Sequence, residues 1–110
     1  MEEKHPVTTV VRRRVKSGQE AAYEEWLRSL QAEAGALPGY LGAEVMRPSK
    51  TGEPYVSIFR FSSPETLEAF ETSEMRRQRM ALLPPIVNAE AELERLSGLE
   101  GGAGGARQPP

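Results

Sequence analysis

The chain has 110 residues, which suits one domain, and a formal net charge of −2 from 14 basic and 16 acidic side chains. That balance argues against a dedicated nucleic-acid binder, whose footprint is usually strongly basic. With no cysteine, no aspartate and a lone His5, the sequence excludes disulfides, thiolate nucleophiles, zinc-thiolate and His-rich metal sites, and a Ser-His-Asp triad.

Residues 6 to 16 predict the first strand, since Val7, Thr8, Thr9, Val10, Val11 and Val15 are β-branched. Ser17 and Glu20 stand three apart, the spacing of a helix capping box. Ala22, Tyr23, Trp26, Leu27, Leu30, Ala34 and Leu37 then recur at helical spacing, up to a stop at Pro38-Gly39. YLGAEVMR, 40 to 47, predicts a second strand, and PYVSIFRF, 54 to 61, a third. PSKTGE between them makes the pair a hairpin. Ser63 and Pro64 open a second helix with Leu67 and Phe70 on its inner face. A break near Thr72-Ser73 restarts a helical segment through Met75, Met80 and Leu83, which Pro84-Pro85 ends. AELERL, 91 to 96, is read as the fourth strand. Residues 1–98 form the expected domain, and 99–110, dominated by Gly and Pro, an expected disordered tail.

The order strand, helix, strand, strand, helix, strand is the split βαβ arrangement, an α+β ferredoxin-like βαββαβ fold with a four-stranded antiparallel sheet. In it the first strand is central, between the third and the fourth. Strand side chains alternate between faces. Val7, Thr9, Val11, Arg13 and Val15 are the more apolar set and should face the helices. Leu41, Ala43, Val45, Tyr55, Ser57, Phe59, Phe61, Ala91 and Leu93 should join them. The other face would carry Arg12, Arg14, Glu44, Arg60, Glu92 and Glu94, so two of the three consecutive arginines at 12–14 find carboxylates across the sheet. Arg13 points the other way. With Arg47 and Tyr55 it either converges on a mouth for a polar or acidic group, or snorkels to the rim and pairs with Glu20, Glu24 or Glu90. Asn88 falls near that mouth.

No phosphate-binding glycine motif occurs, and no apolar run approaches the length of a membrane span. The charged start MEEKHP lacks the apolar core of a signal peptide, so a cytoplasmic location is expected.

A strand ending in V-K-x-G, a helix carrying Trp26, then PGYLGAEVMRP and YVSIFRFSSPETLEAF together resemble the antibiotic biosynthesis monooxygenase family, over roughly residues 6 to 100. The resemblance implies a homodimer whose two sheets pack into an α/β barrel, with Arg12, Arg14, Glu44, Arg60, Glu92 and Glu94 at or near the interface. It implies oxidation of a small aromatic or quinone-like molecule by O2 with no cofactor, the deprotonated substrate supplying the electrons. The pocket would lie between sheet and helices, with Val11, Arg13, Trp26, Arg47, Tyr55, Ser57, Phe59, Phe70 and Met80 as its candidate residues. Tyr55 or Arg13 would stabilise a phenolate or oxyanion. Haem degradation is not implied. The asparagine, tryptophan and histidine of that branch correspond to Val11, Phe70 and Met80 here.

Two other readings stand beside this one. Trp26, Phe59, Phe61 and Phe70 suit the core of a non-catalytic dimeric module equally well. Arg12, Arg14 and the run RRQR at 76 to 79 would have to carry any nucleic-acid binding, against the opposing field of many glutamates.

Overall fold

The computed structural model describes residues 5–88 and 91–97. The expected disordered tail, 99–110, lies outside them, as does Glu90. Four strands, β1 (Val7–Arg13), β2 (Tyr40–Met46), β3 (Tyr55–Phe61) and β4 (Glu92–Ser97), form one sheet in the order β2-β3-β1-β4. All neighbours run antiparallel. Three helices, α1 (Glu20–Ala34), α2 (Pro64–Glu71) and α3 (Glu74–Met80), complete a ferredoxin-like α+β fold. Among the described residues, no helix is long and apolar enough to cross a membrane.

β1 is shorter than the β-branched run suggests. After Arg13 the chain leaves β3 and pairs instead with the segment before β4. The Lys16 N–H donates to the Ile86 carbonyl at 2.8 Å, the Asn88 N–H donates to the Arg14 carbonyl at 2.9 Å, and Val15 bridges Val87. α1 is not capped by Ser17. Its N-cap is Gln19, and no side chain caps it. The expected box does not form; Glu20 Oε1 instead accepts from the Gly18 N–H at 3.0 Å. Gly18 has φ +87°, a left-handed conformation, and the helix starts two residues later than a Ser17 cap would place it. Ala22 is exposed, and the helix ends at Ala34, before Leu37.

α2 begins as its sequence predicts. Ser63 and Thr66 form a reciprocal capping box, and Pro64 occupies the first turn. Ser73 breaks the helical run by capping α3, accepting from the Arg76 N–H at 3.1 Å. Gly39, at φ +83°, fits against Thr66. A Cβ there would stand 2.5 Å from the Thr66 Oγ1, so the β2 entry packs on α2 only without a side chain.

A β-bulge between Tyr40 and Gly42 changes which residue faces inward. Gly42 has φ +123°, and the bulge sets Tyr40 opposite Phe61. The two rings meet edge to face with centroids 5.6 Å apart, and Tyr40 packs on the core. Leu41, expected in the core by simple alternation, is 55% exposed. In β1 and β3 alternation holds: Val7, Tyr55, Phe59 and Phe61 bury against Tyr23, Trp26, Leu27, Leu30 and Ala34 of α1 and Leu67 and Phe70 of α2, whereas Leu93 of the edge strand β4, expected to join them, is 62% exposed.

The face away from the helices carries three ion pairs. Arg12 reaches Glu94 at 3.4 Å, Arg60 reaches Glu44 at 3.6 Å and Arg14 reaches Glu92 at 4.0 Å. Between them the register aligns Val10 with Ile58 and Arg12 with Val56. This is an apolar centre inside a charged frame.

Candidate functional site

A cavity of about 40 Å3 lies between β1 and β3 on one side and the three helices on the other. Its sheet wall is Thr9, Val11, Arg13, Ser57, Phe59 and Leu93, and its helical wall includes Tyr23, Trp26, Leu27, Leu30, Leu67, Phe70, Glu71, Arg76 and Met80. Alternation explains the sheet wall. Thr9, Val11 and Arg13 are successive inward positions of β1, opposite Phe59, Ser57 and Tyr55 of β3.

Arg13 is the chemically distinctive member. It is 8% exposed, in the middle of the sandwich. Its guanidinium lies over the Trp26 ring, 5.8 Å from the centroid, and Nη2 points to Met80 Sδ at 3.7 Å. Among the described residues no carboxylate comes within ion-pair distance of it. Burial lowers its pKa. Tyr23 opposes that shift, and the like charge of Arg76 adds to it. A thioether is a weak acceptor, and an isolated buried charge costs several kcal/mol. A cation–π contact returns only about 2 kcal/mol when desolvated.

Three hydroxyls share this wall. Thr9, Tyr23 and Ser57 are all buried, and among the described residues none makes a hydrogen bond of good geometry, although Ser57 and Arg13 both lie close to the Tyr23 hydroxyl. Burial pushes the Tyr23 hydroxyl up, while Ser57 and Arg13 pull it back. Polar groups so deeply buried are ordinarily satisfied, so an unpaired cluster beside a cation stands out. The tyrosine ring itself is locked, stacked on Trp26 at 5.8 Å and edge-on to Tyr55 at 4.9 Å.

The helical wall is fastened from outside. Trp26 Nε1 donates to the Arg79 carbonyl at 2.7 Å, and Arg79 clamps Glu33 with two hydrogen bonds of 3.0 and 2.6 Å. These bonds tie α3 to α1 and hold the indole in place. Arg76 lies over Phe70 at 5.8 Å. Glu71 also borders the cavity, with its carboxylate paired to Arg95.

Of the residues marked as pocket candidates from sequence, Val11, Arg13, Trp26, Ser57, Phe59, Phe70 and Met80 line this cavity. Arg47 and Tyr55 lie elsewhere. They do converge, but on Glu24. Arg47 Nε and Nη2 donate to its two oxygens at 2.7 and 2.8 Å, and the Tyr55 hydroxyl donates to Oε2 at 2.8 Å. These donors hold the Glu24 carboxyl down at about 2, and burial together with Glu24 pushes the Tyr55 hydroxyl up to about 12. Tyr55 is thus already committed as a donor, and Arg13 does not join the group. Asn88 is held through its backbone to Arg14 and does not border the cavity. Thr9 and Tyr23 were not singled out as pocket residues. Their signal was present in the parity Thr9, Val11, Arg13 and in the i, i+3 spacing of Tyr23 and Trp26. Among the described residues, no three His, Cys, Asp or Glu cluster as metal ligands.

No curated protein matches the sequence. Solved structures match the fold. SnoaB, a cofactor-independent oxygenase from Streptomyces nogalater, superposes with a TM-score of 0.76 at 18% identity, covering 96% of each chain. Rv0793 from Mycobacterium tuberculosis gives 0.77 at 16% identity over 89% of this chain and 99% of that one. PA3566 from Pseudomonas aeruginosa gives 0.76 at 18% over 91% and 100%. At such identities the likeness concerns the fold. The family model for antibiotic biosynthesis monooxygenase matches residues 6–81, which takes in the strands and helices that build the cavity apart from β4. The chain belongs to the antibiotic biosynthesis monooxygenase family.

Proposed function

We propose that this protein binds a small aromatic or quinone-like molecule in the cavity between sheet and helices and oxidises it with O2, the substrate supplying the electrons without an added cofactor. The observation that carries this reading is the buried donor cluster of Arg13, Tyr23, Ser57 and Thr9 on the wall of an otherwise aromatic and aliphatic cavity. Fixed donors in a dry site stabilise an oxyanion far better than water-exposed ones do. Arg13 would hold the ionised oxygen, and Trp26, Phe59 and Phe70 would bracket the ring. Tyr55 is not assigned this task, because its hydroxyl already serves Glu24. SnoaB, with a similar fold, is a cofactor-independent oxygenase.

The working unit would be a homodimer. The sheet is covered by helices on one face only, and the centre of its other face is Val10, buried among its neighbours, with half-buried Val56 and Ile58 inside the frame of Arg12–Glu94, Arg14–Glu92 and Arg60–Glu44. Met46 and Leu96 are exposed on the same face.

The test is oxygen uptake by the purified protein across a panel of phenols and quinols. Uptake with at least one compound, lost in Arg13→Met, supports the reading. No uptake across the panel removes catalysis. One observation favours a second reading, a module that binds without turnover. A cavity of 40 Å3 has room for about three waters, so a ring enters only if the lining side chains move aside. Ligand binding with no oxygen uptake would establish that second reading.

A further inference from the structure

The polar wall of the cavity consists almost entirely of donors. Arg13 can only donate, and among the described residues its hydrogen bond goes to the weak Met80 sulfur, with the Tyr23 hydroxyl close by. The hydroxyls of Thr9, Tyr23 and Ser57 are each free to donate. The charge is also one-sided. Arg13 and Arg76 both border the cavity, and the single carboxylate there, Glu71, is occupied by Arg95. Among the described residues the cavity therefore offers a net positive, donor-rich surface whose own acceptors are hydroxyl oxygens, a weak thioether and a carboxylate already paired.

A neutral ligand would leave Arg13 uncompensated. A phenol brings a full charge near neutral pH only if the site lowers its pKa, whereas a carboxylate arrives ionised. A carboxylate has two oxygens with about four acceptor positions, and it matches a guanidinium two bonds to two. We propose that the ligand of this cavity carries a carboxylate, bound by Arg13 with Tyr23 and Ser57, on a compact apolar body lying against Trp26 and Phe70. The proposal rests on the reading of this cavity as the ligand site, and in it Arg13 holds a carboxylate of the ligand rather than its ring oxygen. The present volume suits it, since a carboxylate fills about the space of three waters. The apolar body would extend past Leu93, which is largely exposed on the edge strand.

The protein has one tryptophan, Trp26, and it borders the cavity, so its fluorescence reports occupancy. The experiment titrates the full chain with sodium benzoate and with benzamide, a neutral molecule of nearly the same shape, near neutral pH. Benzoate should bind at least about tenfold more tightly, the scale of one charge-assisted bidentate contact. Arg13→Met should abolish that preference, with circular dichroism confirming its fold. Ser57→Ala should reduce it. Equal affinities for benzoate and benzamide in the unaltered protein overturn the proposal without any variant, and so does a preference that survives Arg13→Met. If that happens while phenols still drive oxygen uptake, the site reading stands and only the carboxylate falls. If neither ligand binds and no oxygen is consumed, both fall.

Discussion

Arg13 and Met80 meet across the cavity, guanidinium Nη2 to Sδ at 3.7 Å, and the sulfur is the only hydrogen-bond acceptor this buried cation has among the described residues. A strand residue thereby presents its full charge to a helix that can barely answer it. Such an arrangement is poor for stability, and it persists where a site needs it.

The first prediction follows from that mismatch. Arg13→Met removes an unpaired buried charge and leaves an apolar side chain of similar length. Stability should rise by about 1–2 kcal/mol in urea unfolding while ligand binding is lost. A loss of stability would mean that Arg13 is a structural residue.

Glu24 gives a pH-dependent prediction. Its folded pKa, about 2, lies below the ordinary carboxylate value, mainly because Arg47 and Tyr55 donate to it. A depressed carboxylate contributes stability above its unfolded pKa and loses it as pH falls toward the folded one. The stability gap between the unaltered protein and Glu24→Gln should therefore be constant from neutral pH down to about 5 and close between there and about 2. Urea midpoints measured across that range check it.

The bulge in β2 makes two neighbours very unequal. Tyr40→Ala removes a ring packed on Phe61 and should destabilise by about 2 kcal/mol or more. Leu41→Ala should change stability by less than about 0.5 kcal/mol, since the side chain is exposed. Strict alternation predicts the reverse order, so paired denaturation curves distinguish the two registers.

The open sheet face supplies the last prediction. Ile58→Glu would place a charge at the centre of the Val10–Val56–Ile58 patch beside Glu44, its register partner on β2. If that face is the homodimer interface, sedimentation should show a dimer become a folded monomer. An unchanged mass would move the interface elsewhere.

Much of this molecule was legible in the chain itself. Period-two patterning in β1 and β3, the Ser63-Pro64 start of α2 and the Ser73 break define the elements, because each depends on neighbours a few residues away. The same parity assigns Arg12 and Arg14 to one face and Arg13 to the other. Three things required the tertiary structure. The bulge at Gly42 turns Tyr40 inward, because alternation cannot register one extra residue. The termination of β1 at Arg13 depends on pairing with residues 86–88, far along the chain. Arg47 and Tyr55 meet Glu24, leaving Arg13 against Trp26, Met80 and Tyr23 with no carboxylate paired to it among the described residues. Which of several glutamates an arginine reaches is decided by a few ångströms of packing between elements, and local sequence carries no record of that distance.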